Sequence, residues 1–248
     1  GGCGCLCRQS SASYLSLSDK LLSLLPALQL PCPWMIVREC QSTPTGLFGC
    51  WLLRTIAFPP CRRRYGSLLY IPLFSDIAEE HNRIVGAKTF YKTIQGLYNL
   101  ALFHQRIGLR IVVHKQTYKR LPQFADFIYH NFPFVSQVAF MQMETIGLAK
   151  ENIAELWIDP YDYNEQLREA VLLLADRGMK PYIYNAQLCI LPEDIRCYAQ
   201  QSISDWKDIY LPECEGCTLR GQCAGFFASN REMHSQYIKK IEECMSCD

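Results

Sequence analysis

The chain has 248 residues, of which 49% are hydrophobic, 12% aromatic and 20% charged. This is ordinary globular composition, long enough for one large domain or two small ones, and it excludes a disordered, collagenous or fibrous protein. Twenty-five Lys and Arg against 24 Asp and Glu leave a net charge of +1, too little for the basic field that holds nucleic acid phosphates, so no nucleic acid partner is expected.

Residues 1–66 stand apart from the rest. They hold seven Lys or Arg and two acids, whereas residues 67–248 hold 18 and 22. The segment begins with Gly1, ends in Arg62, Arg63 and Arg64, and shows no clear alternation of strand and helix patterns. Two readings stand side by side: a divergent or poorly ordered N-terminal region, or a truncated or out-of-frame translation, since so few acids are unusual on a folded surface. Its most apolar stretch, residues 21–37, is interrupted by Pro26, Pro31 and Pro33. No transmembrane helix is expected there, and a soluble protein without a membrane partner follows.

From residue 67 the pattern becomes regular. Residues 69–74 (LYIPLF) form a short apolar run ending at Ser75 and Asp76, which predicts a buried strand and a polar loop. Ile94, Leu97, Tyr98, Ala101 and Leu102 fall at helical spacing and predict a helix over residues 88–105, closed by Gly108. Residues 109–114 (LRIVVH) predict a second strand. Leu121, Phe124, Ala125 and Ile128 mark a helix over residues 119–131, stopped by Pro133. Residues 135–141 (VSQVAFM) predict a third strand, followed by a longer loop to Pro160. Leu167, Ala170, Val171 and Leu174 mark a helix ending at Gly178, and residues 180–185 (KPYIYN) a fourth strand. Strand and helix alternating at this rhythm predict parallel strands with right-handed crossovers, hence an α/β fold built on a sheet or part of a barrel.

In such a barrel, polar residues at the C-terminal ends of strands point into the site, which makes Ser75, Asp76, His114 and Glu144 the positional candidates. Each also has a plainer role. Ser75 and Asp76 suit a turn or a helix cap, and His114 suits a satisfied core histidine. His81, His104, His130 and His234 show no metal-ligand spacing. There is no Ser/His/Asp constellation and no Gly-rich phosphate loop.

Fourteen cysteines divide into seven in residues 1–61, none in 62–188 and seven in 189–247. A secreted disulfide framework belongs to short chains without a core, and no signal peptide is recognisable, so a reduced, cytoplasmic location is expected. The strongest signal is Cys214-x2-Cys217-x5-Cys223, with Gly216, Gly221 and Gly225 among or just after them. Close spacing turns three thiolates toward one point, and the glycines supply the backbone angles. A soft thiolate set selects iron–sulfur or zinc. Cys189 is the best placed fourth ligand and Cys197 the next. The zinc alternative pairs Cys214 and Cys217 with Cys244 and Cys247 across a gap of 26 residues, longer than the usual ribbon. Spacing alone leaves iron–sulfur and zinc open, with buried free cysteines as a third reading.

Seven stretches resemble the C-terminal two thirds of the radical SAM maturases of the His-Xaa-Ser peptide-modification system. They are IPLFSDIAEEHNRIVGA (71–87), RIVVHKQTYKRLPQFADFI (110–128), NFPFVSQVAFMQMETIGLAKEN (131–152), LWIDPYDY (156–163), IYNAQLCIL (183–191), SISDWKDIYLPECEGC (202–217) and CAGFF (223–227). The resemblance implies a partial TIM-like barrel that binds S-adenosylmethionine beside a 4Fe-4S cluster, and a C-terminal cysteine-rich extension holding an auxiliary 4Fe-4S cluster. The leading cysteine of that extension looks like Cys189, and the later three like Cys214, Cys217 and Cys223. Cys197, Cys244 and Cys247 match no family cysteine. Ser75, His114 and Glu144 become the candidates for contact with the cofactor. The organisation implied is residues 1–66 as an atypical segment, 67–188 as the partial barrel and 189–248 as the extension. The implied substrate is a peptide or protein, with His-Xaa-Ser repeats, and the implied partner a second maturase.

The family binds its first cluster through Cys-x3-Cys-x2-Cys, whose three thiolates leave one iron open for the cofactor. That triplet is absent here. Cys3, Cys5 and Cys7 have the wrong spacing, and residues 1–66 hold no Gly-Gly-Glu-Pro. The chain as written is therefore expected to represent the family without its N-terminal cluster motif, and not to cleave S-adenosylmethionine reductively by itself.

Overall fold

Short β-rich runs separated by amphipathic segments build the sheet and its helical cover. The computed structural model describes residues 37–38, 68–201 and 209–242, all within the unit formed by Met35–Phe48 and Pro59–Asp248. Expectations for the rest of residues 1–66, including residues 21–36, and for Cys244 and Cys247 lie outside the described residues.

The elements in chain order are β1 (Val37–Arg38), β2 (Leu68–Pro72), α1 (Ala78–Val85), α2 (Phe90–Leu102), β3 (Arg106–Val113), α3 (Leu121–Asn131), β4 (Gln137–Gln142), α4 (Leu148–Glu151), α5 (Ile153–Leu156), α6 (Asn164–Asp176), β5 (Pro181–Tyr184) and β6 (Ala199–Gln200). The six strands form one sheet in sequential order. β1 pairs antiparallel with β2, and every later pairing is parallel. The α/β class expected from the rhythm is thus present as an open sheet with five parallel strands.

Register sorts the strand side chains onto two faces. Ile71 pairs with Leu109, Leu109 with Val138, and Phe140 with both Ile111 and Ile183. These residues share one buried cluster with Leu97 of α2, with Leu121, Phe124, Ala125 and Ile128 of α3, and with Leu167, Ala170, Val171 and Leu174 of α6. The predicted faces of α3 and α6 are the ones buried. On the other sheet face Tyr70 pairs with Gly108, which pairs with Gln137. A Cβ on Gly108 would sit 2.8 Å from the Tyr70 ring, so only glycine lets that ring lie across β3. Gln137 donates to the Tyr70 hydroxyl, which lies 3.5 Å from the Tyr184 hydroxyl.

Four sequence expectations are corrected. Gly108 does not close a helix; α2 ends at Leu102, the chain reverses at His104 with φ 52°, and Gly108 lies inside β3. The buried line of α2 is Phe90, Thr93 and Leu97; of the predicted face, Leu97 is buried and Ile94 and Ala101 pack against the core, but Leu102, in the last turn, is 75% exposed. The polar stretch after Asp76 is helical: α1 buries only His81, so hydrophobic periodicity could not reveal it. The loop before Pro160 contains α4 and α5, each too short for periodicity to register. A further parallel strand, β6, of two residues, also escaped it.

Asn82 joins α1 to α2. Its Oδ1 accepts the backbone amides of Thr89 at 2.7 Å and Phe90 at 2.9 Å, satisfying donors that a helix start leaves without partners. Asn82→Ala is expected to lower stability by roughly 1–2 kcal/mol. Urea unfolding at neutral pH measures it, and an unchanged midpoint would mean these bonds contribute nothing net.

Candidate metal centre at the sheet edge

Because β2 to β6 run parallel, the loops that follow them gather at one edge of the sheet. Ser75 and Asp76 follow β2, His114 follows β3, and Glu144 follows β4. Ser75 is buried; its hydroxyl donates to Glu80 Oε2 at 2.8 Å and accepts the Ile77 amide at 3.0 Å. This is the turn role, in the segment leading into α1, whose N-cap Ile77 makes no side-chain cap bond. Asp76 takes Arg120 in a two-pronged pair, with Nη2 2.5 Å and Nε 3.1 Å from its two oxygens. His114 is buried, and its Nδ1 accepts the Gln116 amide at 3.3 Å, which assigns the proton of the neutral ring to Nε2. Burial, with the Arg83 charge second, pushes its pKa down to about 4. Glu144 is half-buried. The side-chain bonds of Ser75 and His114 thus run to their own loops, although both share the edge with Glu144.

The extension docks on this same edge. The Thr145 amide donates to Asn230 Oδ1 at 3.1 Å, and the Thr145 hydroxyl to the Ser229 carbonyl at 2.7 Å. Asn230 Nδ2 returns a bond to the Met143 carbonyl at 3.3 Å. Gln187 Nε2 donates to the Gly225 carbonyl at 2.8 Å. Asp159 accepts the Tyr161 amide at 2.9 Å and the Gln236 amide at 3.0 Å, beside a stacked pair of Tyr161 and Tyr237 rings 4.0 Å apart. Thr145, Asp159, Gln187 and Asn230 are all buried. Sequence reasoning did not single out these four residues. A signal was present for three: Thr145, Asp159 and Gln187 lie in the stretches that carry the family resemblance.

The cysteine loop is built by local backbone bonds. A short 3-10 turn, Pro212–Cys214, leads to Gly216 with φ 71°, and the Cys217 amide bonds the Cys214 carbonyl at 3.2 Å. A second turn, Arg220–Gln222, delivers Cys223. Gly216 and Gly225 take the left-handed conformation expected of them, whereas Gly221 does not. Tyr210 steadies the loop, its hydroxyl 3.0 Å from the Arg220 carbonyl and its ring 4.6 Å from the Arg220 guanidinium.

Cys189, Cys214, Cys217 and Cys223 all line one cavity, together with Leu188, Leu219, Ile241, Arg220 and Lys239. Cys189 reaches it because it follows β5 on the edge that carries the extension. Cys197 is exposed, with Sγ 3.8 Å from the Asp194 carbonyl, and does not line the cavity. Burial raises the Cys189 and Cys214 thiols above the ordinary range, and the charge of Cys223 raises both further. Bare thiolates are therefore disfavoured in this apolar setting, a cost that metal ligation relieves.

A zinc–sulfur bond of about 2.3 Å requires neighbouring sulfurs about 3.8 Å apart in a tetrahedron. Among the described residues no three His, Cys, Asp or Glu side chains are placed to hold one metal ion. In a four-iron cluster each thiolate takes a different iron and the ligands stand farther apart.

No helix among the described residues is long and apolar enough to cross a membrane. No protein-family model matches the chain, and no curated protein matches it.

His114 has a measurable consequence. The unfolded chain takes up its proton near the ordinary 6.5 and the folded chain only near 4, so between these values the unfolded state binds more protons. Stability is therefore expected to fall as pH drops from about 6.5 toward 4, by up to roughly 3 kcal/mol for this residue. His81, also held low by burial, acts in the same direction. Denaturant unfolding of wild type and His114→Gln across this range checks it: the variant should show a shallower loss, and parallel curves would refute the assignment.

Proposed function

We propose that the chain is a radical S-adenosylmethionine maturase of the His-Xaa-Ser type, whose extension holds an auxiliary 4Fe-4S cluster on Cys189, Cys214, Cys217 and Cys223. The observation that carries this reading is the placement of all four cysteines on the lining of one cavity. Support also comes from the stretches of family resemblance and from parallel strands in sequential order, the arrangement expected of an arc of a TIM-like barrel.

When bound, the cluster would supply a one-electron relay or an iron site for a peptide. The chain's own residues do the rest. Four thiolates hold the centre, Leu188, Leu219 and Ile241 keep water from it, and Lys239 and Arg220 place positive charge beside it. The bonds from Thr145 to Asn230 and from Gln187 to Gly225 fix the centre against the sheet edge. Ser75, His114 and Glu144 stand on that edge as the residues assigned to S-adenosylmethionine. His114, neutral at pH 7, offers a hydrogen bond there without adding charge beside a sulfonium. The sequence contains no Cys-x3-Cys-x2-Cys, so no residue of this chain is assigned to the second cluster. A peptide or protein with His-Xaa-Ser repeats as substrate, a partner maturase and a cytoplasmic location belong to the same proposal.

Anaerobic reconstitution with iron and sulfide tests it. About four irons per chain and a broad absorption near roughly 400 nm are expected, both removed by Cys217→Ala and untouched by Cys197→Ala. Colourless protein holding one zinc per chain would overturn the assignment in favour of a non-catalytic α/β protein with a structural four-cysteine zinc site.

A further inference from the structure

The cavity has one wall that does not come from the cysteine loop or the sheet edge. Lys239 and Ile241, near the end of the described chain, line it beside the four cysteines. The Ile241 amide donates to Cys217 Sγ at 3.5 Å. The Ile241 carbonyl is held by Thr218 twice, from the backbone amide at 3.0 Å and from the hydroxyl at 2.9 Å. The Lys239 backbone amide acts on Cys189 and favours its thiolate. Lys239 and Ile241 thus line the cavity with the Ile241 amide directed at the Cys217 sulfur. Two cations, Lys239 and Arg220, and no carboxylate line the same space.

We propose that residues 239–241 form a strap belonging to the metal centre, with Thr218 as its clamp, the Ile241 amide as a donor to the Cys217 sulfur, and Lys239 as a compensating charge. The inference rests on the functional reading above. A thiolate-ligated cluster is a net anion that gains one more negative charge on reduction. N–H···S bonds and a nearby ammonium stabilise the reduced form more than the oxidised one, and so raise the potential. The same cover slows access of water and chelators to the metal. Thr218 and the strap are positioning residues: they act through Cys189 and Cys217.

Two measurements separate the strap from the cluster. In the metal-free chain, hydrogen exchange of the Lys239 and Ile241 amides should show protection, and Thr218→Val should speed their exchange roughly fivefold, the effect of losing one ordinary hydrogen bond. In the reconstituted chain, Thr218→Val should release iron to a chelator several-fold faster, and Lys239→Met should move the midpoint potential to a more negative value at unchanged iron content. Unprotected amides, or exchange unaffected by Thr218→Val, overturn the strap whether or not iron binds. A protected strap with a potential unmoved by Lys239→Met also overturns it, because the segment would then be packing alone. Failure of the wild-type chain to take up iron sinks the cluster reading instead, and the exchange result still decides the strap.

Discussion

The structure depends on a buried polar junction where the extension meets the carboxyl edge of the sheet. Thr145, Asp159, Gln187 and Asn230 are each less than a tenth exposed, and their bonds run between loops that follow different strands. Buried polar groups of this kind cost roughly 1–3 kcal/mol each when left without a partner, so the bonds made across the junction favour one arrangement of the two parts, although Gln187 Oε1 is buried without a partner. That arrangement places residues 209–242 over the ends of β4 and β5. Without it Cys189, in the loop after β5, would have no fixed relation to the three cysteines of the extension loop.

The sheet contributes two unlike faces to this edge. One is covered by α2, α3 and α6 in a continuous apolar cluster. The other carries Tyr70, Gln137 and Tyr184 in contact across β2 to β5, with Arg110 5.0 Å from the Tyr70 ring. Gly108 permits that contact. The sheet therefore packs against helices on one side and presents a polar, aromatic surface on the other.

Electrostatics at the cysteine cavity oppose one another in a way that suits a bound centre. Burial raises the Cys189 and Cys214 thiols, which penalises thiolates standing alone. The amide on Cys217 and the cations on the cavity wall act in the opposite sense. A metal centre would resolve the conflict by ligating the thiolates, and the surrounding donors would then set its properties.

Much of the fold was legible because its signals are local. The apolar faces of α3 and α6, the four longer parallel strands and the left-handed Gly216 between Cys214 and Cys217 follow from periodicity and spacing within a few residues. The cysteine grouping was legible in part: spacing grouped Cys214, Cys217 and Cys223 and ranked Cys189 ahead of Cys197, but only the fold shows Cys189 beside the other three. That placement is tertiary, because Cys189 lies on the edge where the extension docks and Cys197 faces solvent. Gly108 was misread for a similar reason, since its requirement comes from the Tyr70 ring on the neighbouring strand and not from its own sequence neighbours. Local pattern determined which segments are strands and helices and which cysteines share a loop. Only the folded chain decided which side chains meet, because Thr145 with Asn230, Gln187 with Gly225, and Ile241 with Cys217 are contacts between residues 24 to 85 positions apart, beyond the reach of any short-range pattern.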